Sequence, residues 1–209
     1  ILCGTFSFAG NAFAGSPRIG ALAAPLTEVA MAQGKLFGAL SQLGLGVRER
    51  MEVRAEGDWN RFTPPGSKHR EIWTQHGMPL DVLVFFTGVA DGEALNDQVS
   101  ADKKPPKFNA TMSPEDVAAL FENLVAGNGG RFELLQLEPH TVAGGDGFRF
   151  NFNYTARGEE IERSGLAIAT VRDKRLYALV YAAPRGRYFE RGRAGAERLM
   201  GSLHLVGKP

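Results

Sequence analysis

The sequence of 209 residues is poor in the side chains that most often build catalytic and metal sites. It contains one cysteine, Cys3, so no disulfide forms within the chain and no zinc site made of several thiolates is available. The four histidines, His69, His76, His140 and His204, show neither HExxH nor HxH spacing. The GxSxG motif of a serine nucleophile is also absent. We therefore expect no metal, no cofactor and no enzymatic activity.

The sequence also lacks an excess of charge of one sign and a long hydrophobic run. The 24 lysines and arginines nearly balance the 23 aspartates and glutamates, which leaves a formal net charge of +1. Proteins that bind nucleic acid are typically more basic, so we expect no nucleic-acid partner. No segment reaches the roughly 18 consecutive apolar residues of a membrane span, so no transmembrane helix is predicted.

The first 46 residues differ in composition from the rest of the chain. Residues 1–46 are rich in Ala, Gly, Leu and Phe and carry few charges, whereas residues 47–209 have the composition of a single globular domain. Residues 1–10 resemble the apolar centre of a secretory signal, and Ala12-Phe13-Ala14 has the small-x-small pattern of a cleavage site. This pattern predicts a bacterial exported protein, periplasmic or associated with the outer membrane. The alternative is an N-terminal helix that packs on the domain.

The position of Cys3 raises a second question about the N-terminal segment. In an exported bacterial protein, a cysteine near the N-terminus is a candidate site of lipid attachment. A lipoprotein signal requires a small residue directly before this cysteine, and Leu2 is not small. Lipidation of Cys3 is therefore less favoured than cleavage after Ala14, which would remove Cys3 from the mature protein.

The C-terminal part of the chain shows the clearest order of secondary structure. Residues 147–154 alternate aromatic and polar side chains, so Phe148, Phe150, Phe152 and Tyr154 share one face of a strand. Two further apolar strands follow at 161–171 and 176–181, joined by a tight turn at 173–174. The spacing then predicts a helix after Pro184 and a short strand at 202–206.

The part of the domain before residue 147 contains one well-marked helix. Ser113 is a suitable N-cap, Pro114 suits the first turn, and Gly127 ends an apolar stripe of helical spacing. A strand is predicted after this helix at 131–137. Strands at 51–54, 70–74 and 80–86 are predicted before it, the last as a central strand. A long polar loop, residues 88–111, separates that central strand from the helix.

Two segments are candidate surfaces for a partner. Five arginines lie within fourteen residues, with Tyr188 and Phe189 between them, and they suit an anionic protein surface or lipid head groups. The alternative is a solvated helix face. In the long loop, one pair of acidic residues has no structural explanation from the sequence. The predicted partner-binding residues are Arg185, Arg187, Tyr188, Arg191, Asp91, Glu93, Lys103 and Lys104.

Several segments resemble the PsbP/Mog1-like fold. The matching residues are 147–150 (GFRF), 175–184 (RLYALVYAAP), 188–190 (YFE) and 196–203 (AERLMGSL). The resemblance implies an α+β fold, an α/β/α sandwich around a predominantly antiparallel sheet. It also implies an adaptor rather than an enzyme, because members of this fold share no active site that could be carried over to this chain.

Three hypotheses of function follow. The first is a non-enzymatic exported protein that binds a protein partner in the cell envelope, with Trp59, Trp73 and Tyr188 as candidate aromatic anchors if they are exposed. The second is a carrier of a small molecule or lipid, with the aromatic face of residues 148–154 lining a pocket beneath a helix. The third is a hydrolase whose catalytic residues come together from distant loops.

Overall fold

The computed structural model describes residues 27–30, 49–56, 58–64, 67–96, 105–127 and 129–207. Within these ranges the chain forms ten strands and two helices. In chain order they are β1 (Thr27–Ala30), β2 (Glu49–Glu52), β3 (Asp58–Phe62), β4 (Arg70–Thr74), β5 (Val82–Ala90), α1 (Pro114–Ala126), β6 (Arg131–Val142), β7 (Gly145–Thr155), β8 (Arg163–Arg172), β9 (Arg175–Pro184), α2 (Arg187–Gly201) and β10 (His204–Gly207).

Eight of these strands form one sheet in the order β1-β3-β4-β5-β9-β8-β7-β6, in which every neighbouring pair is antiparallel. β5 and β9 lie at the centre, as the apolar runs at 80–86 and 176–181 predict. The tight turn at Asp173-Lys174 is also confirmed, because both residues have positive φ angles, the geometry that suits a two-residue hairpin.

One face of the sheet is built from complementary side-chain sizes. Phe148, Phe150 and Phe152 of β7 pair across the strands with Ala169, Ala167 and Gly165 of β8. The small residues of β8 leave room above the sheet, and the phenylalanines beside them fill it. This alternation of large and small partners lets the face pack at the density of a protein interior.

Helix α1 covers this face. Ser113 and Asp116 form the capping box that the sequence indicates: each side chain accepts a hydrogen bond from the backbone N–H of the other. The buried stripe of α1 includes Phe121, whose ring lies 5.3 Å from that of Phe86 on β5 and 5.5 Å from that of Phe150 on β7. The helix therefore packs across the sheet from the central strand β5 to β7, the strand next to the β6 edge.

Helix α2 and the short β2–β10 pair cover the opposite face. Phe189 and Leu199 of α2 pack in one buried cluster with Trp59, Trp73 and Tyr181 of the sheet. Helices on both faces of an antiparallel sheet make the α/β/α sandwich that the resemblance implies. Trp59 and Trp73 are thus core residues and not exposed anchors, with rings 6.0 Å apart.

Three strands differ from the sequence-based expectation. β1 and β3 are not predicted, and the residues of β3 contain too short an alternation to stand out. β6 extends to Val142, beyond the predicted end at residue 137, because it pairs with β7 along its whole length. The predicted final strand is present as β10, which pairs with β2 in a separate two-stranded sheet.

A buried carboxylate on β4 gives the fold an unusual pH dependence. Glu71 is almost fully buried; it accepts a hydrogen bond of 2.8 Å from Trp73 Nε1 and forms an ion pair with Arg61. Burial raises the pKa of the Glu71 carboxyl above its ordinary value of 4.5, although Trp73 and Arg61 oppose this shift.

The free energy of unfolding of the natural protein should fall as the pH rises, and we expect Glu71→Gln to abolish this fall. Above pH 4.5 the unfolded chain releases the Glu71 proton while the folded chain retains it, so the free energy of unfolding falls with pH until the folded carboxyl also ionises. For one proton the slope is at most about 1.4 kcal/mol per pH unit. Denaturant unfolding of both proteins between about pH 4 and 8 measures it. A difference in stability that does not change with pH would contradict the assignment.

Candidate binding cleft beside the C-terminal helix

A cleft of about 440 Å³ lies between α2 and the residues that connect β2 to β3. Its volume is within the range of small-molecule and peptide sites, roughly 300–1,000 Å³. Trp59 and Tyr181 line it from the sheet, and α2 forms the opposite wall. The lining residues are Arg54, Glu56, Trp59, Gln75, Asp81, Tyr181, Arg191, Gly192, Ala194, Gly195, Ala196, Arg198, Leu199 and Ser202.

Tyr181 brings a polar group to the wall of the cleft. Its side chain is 2% exposed, and among the described residues its hydroxyl has no hydrogen-bond partner. Burial, and then the negative charges of Asp81 and Glu190, raise the pKa of Tyr181 to about 12. The hydroxyl therefore keeps its proton at physiological pH and remains available as a donor.

Gly192 allows the tyrosine to come this close to α2. A Cβ atom at position 192 would lie 2.0 Å from Tyr181 Oη and 2.9 Å from its Cζ, both far below a normal contact. A glycine inside a helix usually reduces stability relative to alanine. Here it makes space for the hydroxyl, a reason that the sequence pattern alone does not reveal.

Replacing two different glycines of α2 by alanine should therefore change the stability of the protein in opposite directions. At Gly195 a Cβ meets nothing within 4 Å, so Gly195→Ala should stabilise the protein by up to about 1 kcal/mol through helix propensity. Gly192→Ala should instead destabilise it by about 1–3 kcal/mol, because the new methyl group overlaps Tyr181. Adding Tyr181→Phe should relieve part of the cost. Thermal and denaturant unfolding of the four proteins tests this; equal effects at both glycines would show that Tyr181 moves freely.

Asp81 is held in place beside Tyr181 by a dense set of donors. The carboxylate accepts from the Thr74 hydroxyl at 2.6 Å and from the backbone N–H groups of Gln75 and His76 at 3.2 and 2.9 Å. His76 Nδ1 lies 3.2 Å from its second oxygen. These contacts fix the β4–β5 turn and place one negative charge next to the Tyr181 ring.

Arginines surround the cleft, but they are not equally available. Arg198 Nε and Nη2 donate to Glu56 Oε2 at 3.2 and 3.1 Å. Arg54 and Arg191 are exposed and, among the described residues, have no acidic partner for their side chains. The Arg54 backbone is tied to the end of α2, since its N–H donates to Ser202 Oγ at 2.8 Å. Two free guanidinium groups therefore face the cleft.

The arginine-rich segment predicted as a binding surface is more strongly neutralised than its sequence indicates. Arg185 contacts Glu162 at 2.6 Å, and Arg193 shares Glu197 with Arg149. Together with Arg198, three of the five arginines have acidic partners. Arg187 and Arg191 have none among the described residues, and Tyr188 between them is 50% exposed. This turn of α2 is therefore the part of the arginine-rich surface that is exposed and not neutralised by acidic partners among the described residues.

The predicted acidic pair of the long loop lies elsewhere and has a structural role. Asp91 accepts from the Ala110 N–H at 2.8 Å, and Glu93 accepts from the Ala90 N–H at 2.9 Å and contacts His69 Nε2 at 2.9 Å. Asp91 follows β5 beside Lys174, whereas Arg187 follows the other end of β9. Ten strand residues separate these ends by about 30 Å, so the two groups form no common site.

The remaining candidate residues, Lys103, Lys104 and Cys3, lie outside the described residues, as does the signal-like segment. Thr27–Ala30 is a strand that pairs with β3, which differs from the helix considered as an alternative for this segment. Among the described residues, no helix has both the length and the apolar character needed to cross a bilayer.

The described part of the structure gives little support to the carrier and hydrolase hypotheses. Phe150 and Phe152 of the aromatic face are fully buried and pack under α1 instead of lining a pocket. In the described part of the chain, no group of three or more His, Cys, Asp or Glu side chains is arranged to hold a metal ion. His69 and His76 lie at opposite ends of β4, and each contacts a carboxylate rather than a nucleophile.

Arg54, Asp81 and Tyr181 line the cleft but were not among the predicted site residues. Tyr181 belongs to an apolar strand, so its sequence context predicts a core residue. Arg54 and Asp81 lie in short irregular segments. The one local signal is the glycine at position 192 in the middle of a helix. Its meaning depends on a tyrosine eleven positions earlier, which only the packing of β9 against α2 brings close.

Comparisons with known proteins place the chain at the level of fold. No family model and no curated protein matches the sequence. The solution structure of cyanobacterial PsbP (CyanoP) from Synechocystis sp. PCC 6803 is similar, with a TM-score of 0.53 and 15% identity over 75% of this chain and 86% of that one. This likeness confirms the predicted PsbP/Mog1-like α+β fold.

Two further solved structures align over most of their length but with lower scores. LpqN, involved in cell envelope biogenesis of Mycobacterium tuberculosis, has a TM-score of 0.42 and 11% identity over 87% of this chain and 91% of that one. The Ran-binding protein Mog1p of Saccharomyces cerevisiae has a TM-score of 0.37 and 10% identity over 86% of this chain and 95% of that one.

Proposed function

We propose that this chain is a non-enzymatic binding protein of the bacterial cell envelope, and that a protein partner docks along α2. The docking face consists of Arg187, Tyr188 and Arg191 and continues into the cleft at Gly192 and Gly195. The observation that carries the proposal is the free, exposed Arg187–Tyr188–Arg191 turn at the end of a cleft. Arginine and tyrosine are the side chains that most often dominate the energy of protein interfaces.

The charges of this turn support a binding role. Arg187 and Arg191 are four residues apart on one helix, a spacing at which like charges repel and destabilise by a few tenths of a kcal/mol. The other arginines of α2 offset such repulsion with Glu197 or Glu56. Glu190 lies between Arg187 and Arg191 in the sequence but forms no ion pair with either among the described residues, and an acidic partner would offset their repulsion.

A protein partner fits this face better than a lipid surface. Each arginine near an anionic membrane contributes about 1 kcal/mol, so two free arginines supply about 2 kcal/mol, which is too weak for stable attachment. The exposed Tyr188 and the adjoining cleft add shape and apolar contact that a protein segment can use. Lipid head groups are therefore the second candidate.

The compartment is part of the proposal. Its support is the apolar segment at residues 1–10 followed by Ala12-Phe13-Ala14, a pattern of secretory signals. Cell fractionation followed by the intact mass of the native protein tests it directly. A protein that is recovered from the envelope without residues 1–14 is the expected result, and an uncleaved protein in the cytoplasmic fraction would contradict export.

Site-specific photo-crosslinking in the cells that produce the protein tests the docking face. A photoreactive phenylalanine analogue at Tyr188 should crosslink a discrete protein, whereas the same analogue at Val171, which is also exposed but lies at the far end of the sheet, should not. Adding Arg187→Glu and Arg191→Glu should abolish the product; Arg131→Glu on β6 is the matched control. Crosslinks that are equal at both positions, that persist after charge reversal, or that contain only lipid would overturn the proposal.

A further inference from the structure

We infer that the cleft beside α2 is a carboxylate-binding site, in which the Tyr181 hydroxyl and the Arg191 and Arg54 guanidinium groups hold the carboxylate of a bound molecule. The inference deepens the proposed function, on which it rests, by naming the chemical group that is recognised. Both use Arg191, but probe binding in the cleft and crosslinking at Tyr188 are separate measurements, so the two can fail separately.

The Tyr181 hydroxyl has no hydrogen-bond partner among the described residues, and Tyr181 lines a cleft of about 440 Å³. The hydroxyl can therefore donate to an oxygen of a molecule bound in the cleft. Tyr177, on the same strand, has an unpartnered hydroxyl that is buried, and it is not among the residues that line the cleft.

Two of the arginines that line the cleft are not neutralised by a neighbouring carboxylate. Arg198 is paired with Glu56, whereas Arg54 and Arg191 have no acidic partner among the described residues. Their positive charges suit an anionic ligand, and the nearby negative charges of Asp81 and Glu190 limit how much negative charge that ligand can carry. A dianionic phosphate monoester would place its second charge close to Asp81, so a carboxylate is favoured over a phosphate.

The donors that line the cleft suit a carboxylate. A carboxylate has two oxygens that accept hydrogen bonds, and a guanidinium and a hydroxyl can each donate to one of them. Trp59, Ala196 and Leu199 provide an apolar surface beside these donors for the remainder of the molecule. The cleft is also much larger than a carboxylate, so the group is the end or side chain of a larger molecule, such as a peptide.

Three synthetic probes test the inference and identify the source of the carboxylate. They are a mixture of N-acetylated tripeptides with free C-termini, the same mixture with amidated C-termini, and an amidated mixture that contains one aspartate. Binding is followed through the backbone NMR signals of Gly192 and Gly195. We expect saturable shifts with the free-acid or the aspartate mixture and none with the neutral amides. The mixture that binds tells whether a chain end or an acidic side chain is recognised.

Two pairs of variants assign the binding to the named groups. Tyr181→Phe should weaken the binding about threefold to tenfold, and Arg191→Gln about tenfold or more. The controls, Tyr177→Phe on the same strand and Arg131→Gln on β6, should leave it unchanged. Equal binding of acids and amides, no binding of any probe, or full affinity in Tyr181→Phe would overturn the inference. If one of these results is obtained while the Tyr188 crosslink persists, the proposed docking face is supported and the carboxylate site is not.

Discussion

Truncation of Phe121 to alanine should lower the free energy of unfolding by about 3–5 kcal/mol. The Phe121 ring is 1% exposed and lies between those of Phe86 and Phe150, at 5.3 and 5.5 Å. Its removal leaves a cavity that the surrounding rings cannot fill, because the residues of β8 opposite β7 are glycine and alanine. The small-residue strand thus depends on this one side chain from α1.

Denaturant unfolding of the variant checks this value, with Glu122→Ala as the control. Glu122 is the next residue of α1 and is exposed, so its replacement should change stability by no more than about 0.5 kcal/mol. A loss below about 2 kcal/mol for Phe121→Ala would mean that α1 moves inward and closes the cavity.

Gly165→Ala should destabilise the protein by about 3 kcal/mol, the upper part of the usual range for overpacking. A Cβ at this position would lie 2.2 Å from Cζ of Phe152 and within 2.6 Å of two more ring atoms. The Phe152 ring is 1% exposed and stacks on Phe132 with centroids 5.1 Å apart, so it has little room to move. The methyl group must therefore displace either the ring or the strand.

The combination of Gly165→Ala with Phe152→Leu separates these two responses. If the clash is with the ring, the second substitution should recover part of the stability that the first removes, because leucine lacks the overlapping atoms. Gly201→Ala at the end of α2 is the control, since a Cβ there meets nothing within 4 Å. Strictly additive losses would indicate that the cost at Gly165 arises in the backbone.

The filling of the α1 side of the sheet has a consequence for function. The phenylalanines of β7 contact one another and Phe121, so this face serves as core and leaves no space for a carried ligand. The α2 side is different, because a cleft of about 440 Å³ lies between this helix and the segment that joins β2 to β3. Binding is thus expected beside α2.

The sequence by itself determined most of the secondary structure. The alternation at 148–154, the capping signals at Ser113 and Pro114, and the turn at Asp173-Lys174 each depend on neighbours in the chain, and each is present in the structure. The PsbP/Mog1-like fold was indicated by a resemblance in four segments, 147–150, 175–184, 188–190 and 196–203. Local patterns predict such features well because their physical causes, side-chain alternation, capping and turn geometry, act over a few residues.

Only the tertiary structure decided which polar groups meet. The five arginines near α2 form one cluster in the sequence, yet Glu162, Glu197 and Glu56 neutralise three of them. The sequence predicts Tyr181 as a core residue. Its hydroxyl reaches the cleft because the neighbouring residue of α2 is Gly192, which has no side chain in that space. Ion pairs and strand–helix contacts join residues that are far apart in the chain, so local sequence patterns do not predict these contacts.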